Sequence, residues 1–505
     1  MIGFDAGDRD VVDQLIAAGD LPVIAGLFQR GAVADMVNPI GLYSGPVWPT
    51  IATGCRPDQH GGWTWRPLVP GTYRMAYRGP NGPVHRPTYW GSVDRHGIRT
   101  VTVDVPNVAV QPDVVGAQVV GWSQHDRCGT FATGPSSLGH ELLAVHPSDP
   151  HDHCDRRGAA GTVGELRLLR LEILDALRAK VELVRWLVQR EEPEVLTVVF
   201  GESHCAGHQF WQLHRREVGR DLGGVAEVGD VVREVYQALD RAVVEVIEIA
   251  TSASPEQDPP SVVLILSHGV DENISMPHLL DPILRKIDDA LPPPSRARRL
   301  RELAHRTPNR VARLALRATG RSFEHLDHHL DGSRRFFPMP VFPSWGGVRL
   351  NLAGREPRGL VQPADAETML QLLETELLAL RTVDTDEPMV RQVHRAEVHY
   401  PDASDAGMFD LLFEWNVDRQ VASVVSPNLG VIHGDRREHR EGGHRQDGRV
   451  VFAGLGIAPA SLPAVRAEDI APTVTAMVGQ EMHGVEGAAV AAAMPASKPV
   501  TMPWI

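Results

Sequence analysis

The sequence predicts an α/β protein with a mostly parallel central sheet, helices on both faces and an inserted cap segment. Three observations carry this expectation. Short apolar runs bounded by Gly and Pro recur at 100–105 (TVTVDV), 194–200 (EVLTVVF) and 261–266 (SVVLIL), and strands covered on both faces read as such unbroken runs. Long stretches with apolar residues every three or four positions lie between them. The interval 275–340 breaks the pattern with Pro292-Pro293-Pro294, a basic stretch at 295–321 and a His/Asp-rich segment at 324–331. Alternating strands and helices specify a parallel sheet with two helical layers.

In chain order, residues 1–4 read as the end of a strand that continues upstream, and 5–8 as a polar loop. Residues 9–31 alternate in a helical manner, a strand follows at 32–36, and 46–54 enter a helix behind a Pro-rich loop. Residues 124–161 are rich in Gly, Pro, Ser, His and Asp without periodicity, which predicts a long loop. The strongest helix is at 162–190, where Val163, Leu166, Leu169, Ile173, Leu177, Val181 and Val184 share one face. A second helix is expected at 224–252. After the interruption, strands are expected at 348–352, 410–414, 421–425 and 450–453, with helices at 363–381 and 468–478. The expected organisation is a core in two parts, 1–274 and 346–505, with 275–345 inserted as a helical cap.

The 505 residues, 43% of them hydrophobic, suffice for one large core or two domains. The net charge of −14 argues against general binding to nucleic acid or anionic membranes, both of which need clustered positive charge. Basic residues are nearly all Arg; only Lys180, Lys286 and Lys498 are Lys. Four cysteines without a CxxC pair indicate neither a disulfide framework nor a Cys-rich zinc module. No secretory leader or run of about 18 apolar residues is visible, so no membrane span and a cytoplasmic location are expected.

Five places share one feature, a polar or metal-capable group beside a buried strand or its loop. They are Asp5 after MIGF, Ser44 ahead of Thr53-Gly54, His204 and His208 after TVVF, Ser267-His268 after VVLIL, and His444 just before VVFAG. Doubly wound sheets gather the carboxyl ends of their strands at one edge, where ligands bind. Imidazole and carboxylate together suit Zn²⁺ or Mn²⁺. If residues 204–208 are helical, the i, i+4 spacing places both rings on one face, as a chelate requires. Each element also has a plainer reading. Asp5 can cap the helix near residue 9, His204 and His208 can be solvated rings, and Ser44 can be an ordinary turn serine.

The joint pattern resembles the alkaline phosphatase superfamily, specifically its type I phosphodiesterase/nucleotide pyrophosphatase branch. The segments that carry the resemblance are MIGFDAGD with AAGDLPVIAGLFQRG, SGPVWPTIATGCRPDQHGGW, FGESHCAGHQFW, ILSHGV, WGGVRLNLAGREPRGLV, GGHRQDGRVVFAGLGI and DIAPTVTAMVG, in the branch's order along nearly the whole chain. The resemblance implies an alkaline-phosphatase-like fold and metal-dependent hydrolysis of a small phosphate ester, most of all a phosphodiester or nucleotide pyrophosphate. It makes Ser44 the nucleophile, through a covalent phosphoserine. It implies one metal at His204, His208 and His444 and another at Asp5, Ser44 and His268, with Ser267 in the position of a further ligand. The cofactor is a divalent ion, zinc or else manganese, one or two per chain.

Two positions depart from the branch. His204 and Ser267 stand where it has Asp, so two carboxylates are missing. Glu202, Asp271 and Glu272 are the neighbours that can supply the charge. The departures keep a second reading open, a non-catalytic or single-metal relative that binds a phosphorylated ligand. A sulfatase is disfavoured: Ser44-Gly45-Pro46-Val47 fits C/S-x-P-x-R until Trp48, and Cys55-Arg56-Pro57-Asp58 ends on Gln59. Trp48 is expected to pack behind the Ser44 loop.

Overall fold

Alternate residues of the buried strands face two separate apolar cores, which is why these strands read as unbroken hydrophobic runs. The structure, a computed structural model, describes residues 1–494 except 43, 77–83, 113, 124–130, 148–161, 216–222, 255–257, 275, 293–327, 417 and 435–441. The strands that build the main sheet and its rim are β1 (Ile2–Phe4), β2 (Ala32–Val37), β3 (Thr100–Val103), β4 (Gly116–Val120), β5 (Ala132–Gly134), β6 (Val195–Phe200), β7 (Val262–Leu266), β8 (Gly269–Glu272), β9 (Gly442–Arg445) and β10 (Asp447–Ala453). The ten-stranded main sheet runs β2-β10-β7-β1-β6-β3-β4-β5, with two short segments, Ala460–Ser461 and Val465–Arg466, beside β2. β7, β1, β6, β3 and β4 are parallel, and β10 and β5 run against their neighbours.

On one face, Ile2, Phe4, Val198, Phe200, Leu264 and Leu266 pack against α1 (Arg9–Ala17), α2 (Pro22–Arg30), α4 (Val163–Glu191), α5 (Glu202–Arg215) and α6 (Val231–Ala253). On the other face, Val199, Val263, Ile265 and Phe452 meet α3 (Val47–Thr53) and the helix Ile470–Met477. The sheet is therefore mostly parallel and covered on both sides.

Local chemistry sets the helix ends. Thr162 and Glu165 form a reciprocal capping box at the start of α4, and the Asp230 side chain accepts from the Arg233 amide at the start of α6. The helical stretch at 9–31 is two helices, because Gly19, with φ of 77°, and Pro22 break it. The expected loop at 124–161 contains regular structure: β5 and the helix Leu138–Val145 fall within it. Leu138 and Leu142 anchor that helix in the core, and a run of turn-forming residues conceals so short an apolar pair.

The described residues between 276 and 433 build a second body. Four antiparallel strands, in the order Phe336–Met339, Trp345–Leu350, Leu411–Trp415, Val390–Arg395, share an apolar core with the helices α7 (Pro277–Ala290) and Ala366–Leu378. Strands on either side of residue 345 are thus neighbours in one sheet, and the chain rejoins the main sheet only at β10. The basic stretch at 295–321 and most of the His/Asp-rich segment lie outside the described residues. No single helix among the described residues is long and apolar enough to cross a membrane.

Gly3, at the centre of β1, has a steric reason. A Cβ there would lie 2.2 Å from Cη2 of the Trp48 indole, which is fully buried against the strand. Gly3→Ala is expected to destabilise the protein by about 1–3 kcal/mol through overpacking and to displace Trp48; the denaturation midpoint and tryptophan fluorescence read both effects.

Candidate metal centre

Five strands that run in the same sense end together, and each releases a polar side chain at that rim. β1 gives Asp5, β2 gives Asn38, β3 gives Asp104, β6 leads through Gly201 to Glu202, and β7 gives Ser267 and His268. β10 runs in the opposite sense, so the residues just before it, with His444, reach the same edge. The Asp5 amide bonds the Phe200 carbonyl at 2.9 Å and the Ser267 amide bonds the Phe4 carbonyl at 3.1 Å, which fixes the strand ends in register.

His204 and His208 both lie on α5, one turn apart, with ring centroids 4.4 Å apart. The hydroxyl of Ser203 donates to the Asp5 carbonyl at 2.7 Å, which pins the start of this helix to the rim. His444 arrives by a different route. β9 pairs antiparallel with β8, placing His444 opposite Val270, two residues beyond His268. The close approach of β9 to α5 requires Gly442, where a Cβ would lie 2.3 Å from the Gly207 carbonyl oxygen. The ring of His444 is then 4.8 Å from that of His204, 4.6 Å from His208 and 4.7 Å from His268.

The three imidazoles of His204, His208 and His444 offer nitrogen atoms that all lie within 4.8 Å of one another, with His204 and His208 buried and His444 half-buried. Nε2 of His204 and Nε2 of His444 face each other at 2.8 Å. Nδ1 of His208 is 2.7 Å from the Gly442 carbonyl, which only a proton on that nitrogen satisfies. In the neutral ring Nε2 then carries the lone pair, and backbone orientation of this kind is how protein metal ligands are held. The donor set fits a divalent ion, and three neutral nitrogens favour zinc.

Asp5, Ser267 and His268 adjoin this cluster in a different arrangement. Oδ1 of Asp5 accepts from Trp48 Nε1 at 2.7 Å and from the Ser267 hydroxyl at 3.4 Å. Ser267 Oγ also accepts from the Ala6 amide at 3.2 Å and lies 2.8 Å from His268 Nδ1. Trp48, expected from the sequence to pack behind the Ser44 loop, is buried against Gly3 of β1, and its indole N–H bonds Asp5. Asp5 does not cap α1. Asp8 does, accepting from the Asp10 and Val11 amides at 2.9 Å and, through its other oxygen, from the Val270 amide at 2.9 Å. Burial raises the Asp8 pKa above the ordinary carboxylate value, against those hydrogen bonds.

Ser44 is half-buried in the turn that leads into α3, its carbonyl accepting from the Val47 amide at 3.1 Å. Three ties bring its loop to the rim. Trp48, one turn further on, holds Asp5. Asn38 donates to the carbonyls of Ser267 and Gln446 at 2.7 and 2.6 Å. Gln446, two residues after His444, donates to the carbonyls of Pro39 and Leu42, both at 3.2 Å. The second body closes the other side, with the Phe342 amide and the Tyr400 hydroxyl donating to the carbonyls of Gly41 and Ile40. Among the described residues, a Cβ on Gly45, next to Ser44 in the chain, would meet nothing within 4 Å. His60, in the P-x-x-HG segment, is buried and bonds Thr50 and the Gly62 amide, bracing α3.

None of the three carboxylates considered as replacements reaches the imidazoles as a donor. Glu202 pairs with Lys180 at 3.4 Å. Asp271 sits opposite Gly443 in the β8–β9 pair, so it points to the face away from His444 and toward Arg445. Glu272 is exposed. Sequence reasoning also missed a buried triad at the rim, in which Lys180 Nζ lies 3.4 Å from both Asp104 and Glu202 and donates to the Val199 carbonyl at 3.1 Å. Its signal is legible in retrospect: Lys180 falls on the apolar stripe of α4 between Leu177 and Val184.

The family model for type I phosphodiesterase/nucleotide pyrophosphatase matches residues 1–406. No curated protein matches the chain by sequence. Among solved structures, phosphonoacetate hydrolase from Sinorhizobium meliloti 1021 in complex with phosphonoformate is similar, with 14% identity, 93% of each chain covered and a TM-score of 0.50. Murine ectonucleotide pyrophosphatase/phosphodiesterase 5 aligns at 10% identity over 96% of each chain, with a TM-score of 0.46. At such identity the first likeness concerns the fold, which is alkaline-phosphatase-like. With four-fifths of its length matched, the chain belongs to the type I phosphodiesterase/nucleotide pyrophosphatase family of phosphoric-ester hydrolases.

Proposed function

We propose that this protein hydrolyses a small phosphate ester, a phosphodiester or nucleotide pyrophosphate, with Ser44 as nucleophile beside a divalent ion held by His204, His208 and His444. The single observation that carries the reading is the convergence of those three imidazoles at the rim to which the Ser44 loop is tied. Zinc suits the three nitrogens best, with manganese as the alternative. The ion would supply Lewis acidity toward an anionic phosphoryl group.

The chain's own residues provide the rest. The Ser44 oxygen attacks phosphorus in line, its bond to phosphorus forming as the bond to the leaving oxygen breaks, and the hydroxyl proton leaves with that oxygen. Water then attacks the esterified Ser44, one of its protons returning to the serine oxygen as the Ser44–phosphorus bond breaks, and a phosphate monoester is released. The ties through Asn38, Gln446 and Trp48 keep the loop in one position through both steps, so that positioning need not be achieved at the moment of reaction. Asp5 and His268 line the same rim.

The second reading, a relative that binds a phosphorylated ligand without turnover, draws on Ser267 standing where a carboxylate is expected and on Asp5 being hydrogen-bonded by Trp48. An aryl phosphodiester, an aryl phosphomonoester and an aryl sulfate, offered to zinc-loaded protein, separate the two. Turnover of the phosphodiester is expected, lost on chelation and restored by zinc; a metal-loaded protein inert to all three would leave the binding role.

A further inference from the structure

We infer that the resting protein holds one metal ion per chain, at the three histidines, and that the hydrogen-bond network Trp48–Asp5–Ser267–His268 stands in place of a second ion. The inference rests on the proposed metal-assisted reading and adds the metal count to it.

The donor chemistry argues against a second resident ion. A catalytic zinc site uses three protein ligands with an open fourth position. At this side of the rim the sequence offers one carboxylate, one imidazole and two neutral hydroxyls. Ser267 Oγ already accepts from the Ala6 amide and donates to Asp5, so the His268 contact at 2.8 Å uses its remaining acceptor capacity, with Nδ1–H as donor; Nε2 of His268 then carries the lone pair and is the one imidazole nitrogen that this side supplies. Asp5 Oδ1 accepts from the buried indole N–H of Trp48. The charge that would offset a second dication is that of Asp5 alone.

Among the described residues, no neighbouring carboxylate makes up the difference. Asp8 is committed to the α1 amides and the Val270 amide. Asp447 is bonded by Arg445 at 2.6 Å and by Arg9 at 3.0 Å. Glu202 belongs to Lys180. Among the described residues, the three histidines are the one group of three or more His, Cys, Asp or Glu side chains whose donor atoms converge. A serine in place of a carboxylate and a tryptophan N–H on the remaining one are mutually consistent: together they hydrogen-bond Oδ1 of Asp5 without a metal.

The test is metal content. Full-length protein, stripped and then dialysed with excess zinc and passed through a desalting column, is expected to retain one zinc per chain by elemental analysis. Asp5→Asn should leave that ratio at one, and Ser267→Asp should raise it toward two by restoring a second negative ligand. Two zinc ions per wild-type chain, with one lost in Asp5→Asn, would overturn the inference, as would no retained zinc. The wild-type ratio decides even if Ser267→Asp does not fold. One zinc with no ester turnover would retire the hydrolase reading and leave the count standing; two with turnover would do the reverse.

Discussion

Ser44→Ala is expected to lower phosphodiester turnover at least about a thousandfold, as removal of a nucleophile does when positioning and electrostatics remain, with zinc content and melting temperature unchanged. The structure allows so selective an effect. Ser44 lies in a turn whose fold is set by its backbone, and its loop is held by Asn38, Gln446 and Trp48, not by its own hydroxyl. The Ser44 side chain makes no hydrogen bond that its loss would leave unmatched among the described residues. Cysteine at the same position is the informative companion, because it keeps a nucleophile of similar size while altering its affinity for the ion. Retained turnover in Ser44→Ala would transfer the attack to water and leave Ser44 a turn residue.

The parts of this site that could be read from the sequence are those whose signal is local. β6 and β7 are apolar runs followed at once by polar residues, because a buried parallel strand must end where its chain reaches solvent or a ligand. His204 and His208 could be paired because helical periodicity is itself local. His444 is different. It reaches the other rings only through the β8–β9 pairing and the glycine that lets β9 approach α5, and neither pairing nor close approach has a periodicity; its place just before VVFAG marks it for the rim, and only the family resemblance groups it with His204 and His208. The choice between Asp5 and Asp8 as helix cap was equally unreadable, since both lie in one short polar loop and three residues decide which carboxylate faces the amides. Glu202 reads as a spare ligand from its proximity in sequence to His204, yet at two residues' separation on a helix it points elsewhere, toward Lys180. The strands between 336 and 415 have the composition of core strands and form their own antiparallel sheet, a choice of partner that strand composition does not specify.

Lys180→Met should be the most destabilising single change at the rim, costing about 3–5 kcal/mol, the usual consequence of removing one partner from a buried ionic group. Lys180 is fully buried, and its ammonium serves two carboxylates and a carbonyl at once. Burial alone would lower its pKa, but Glu202 and Asp104 outweigh burial and hold it above the ordinary lysine value. The sign follows: this stabilisation is complete below about pH 10.4, the unfolded lysine value, and is lost only as pH rises through the higher folded value. Methionine preserves much of the stem's volume, so the loss isolates charge from packing. The triple variant Lys180→Met, Asp104→Asn, Glu202→Gln should recover part of the stability, because no uncompensated charge then remains buried. Equal losses in the single and triple variants would show that the lysine stem, rather than its charge, matters. The consequence for function passes through α5. Glu202 is its first residue, and His204 and His208 follow within two turns, so loosening Glu202 shifts the imidazoles. Zinc affinity in Lys180→Met is therefore expected to fall about 10–100-fold, as when outer partners of metal ligands are removed, and a competitive chelator titration on the folded variant would measure it.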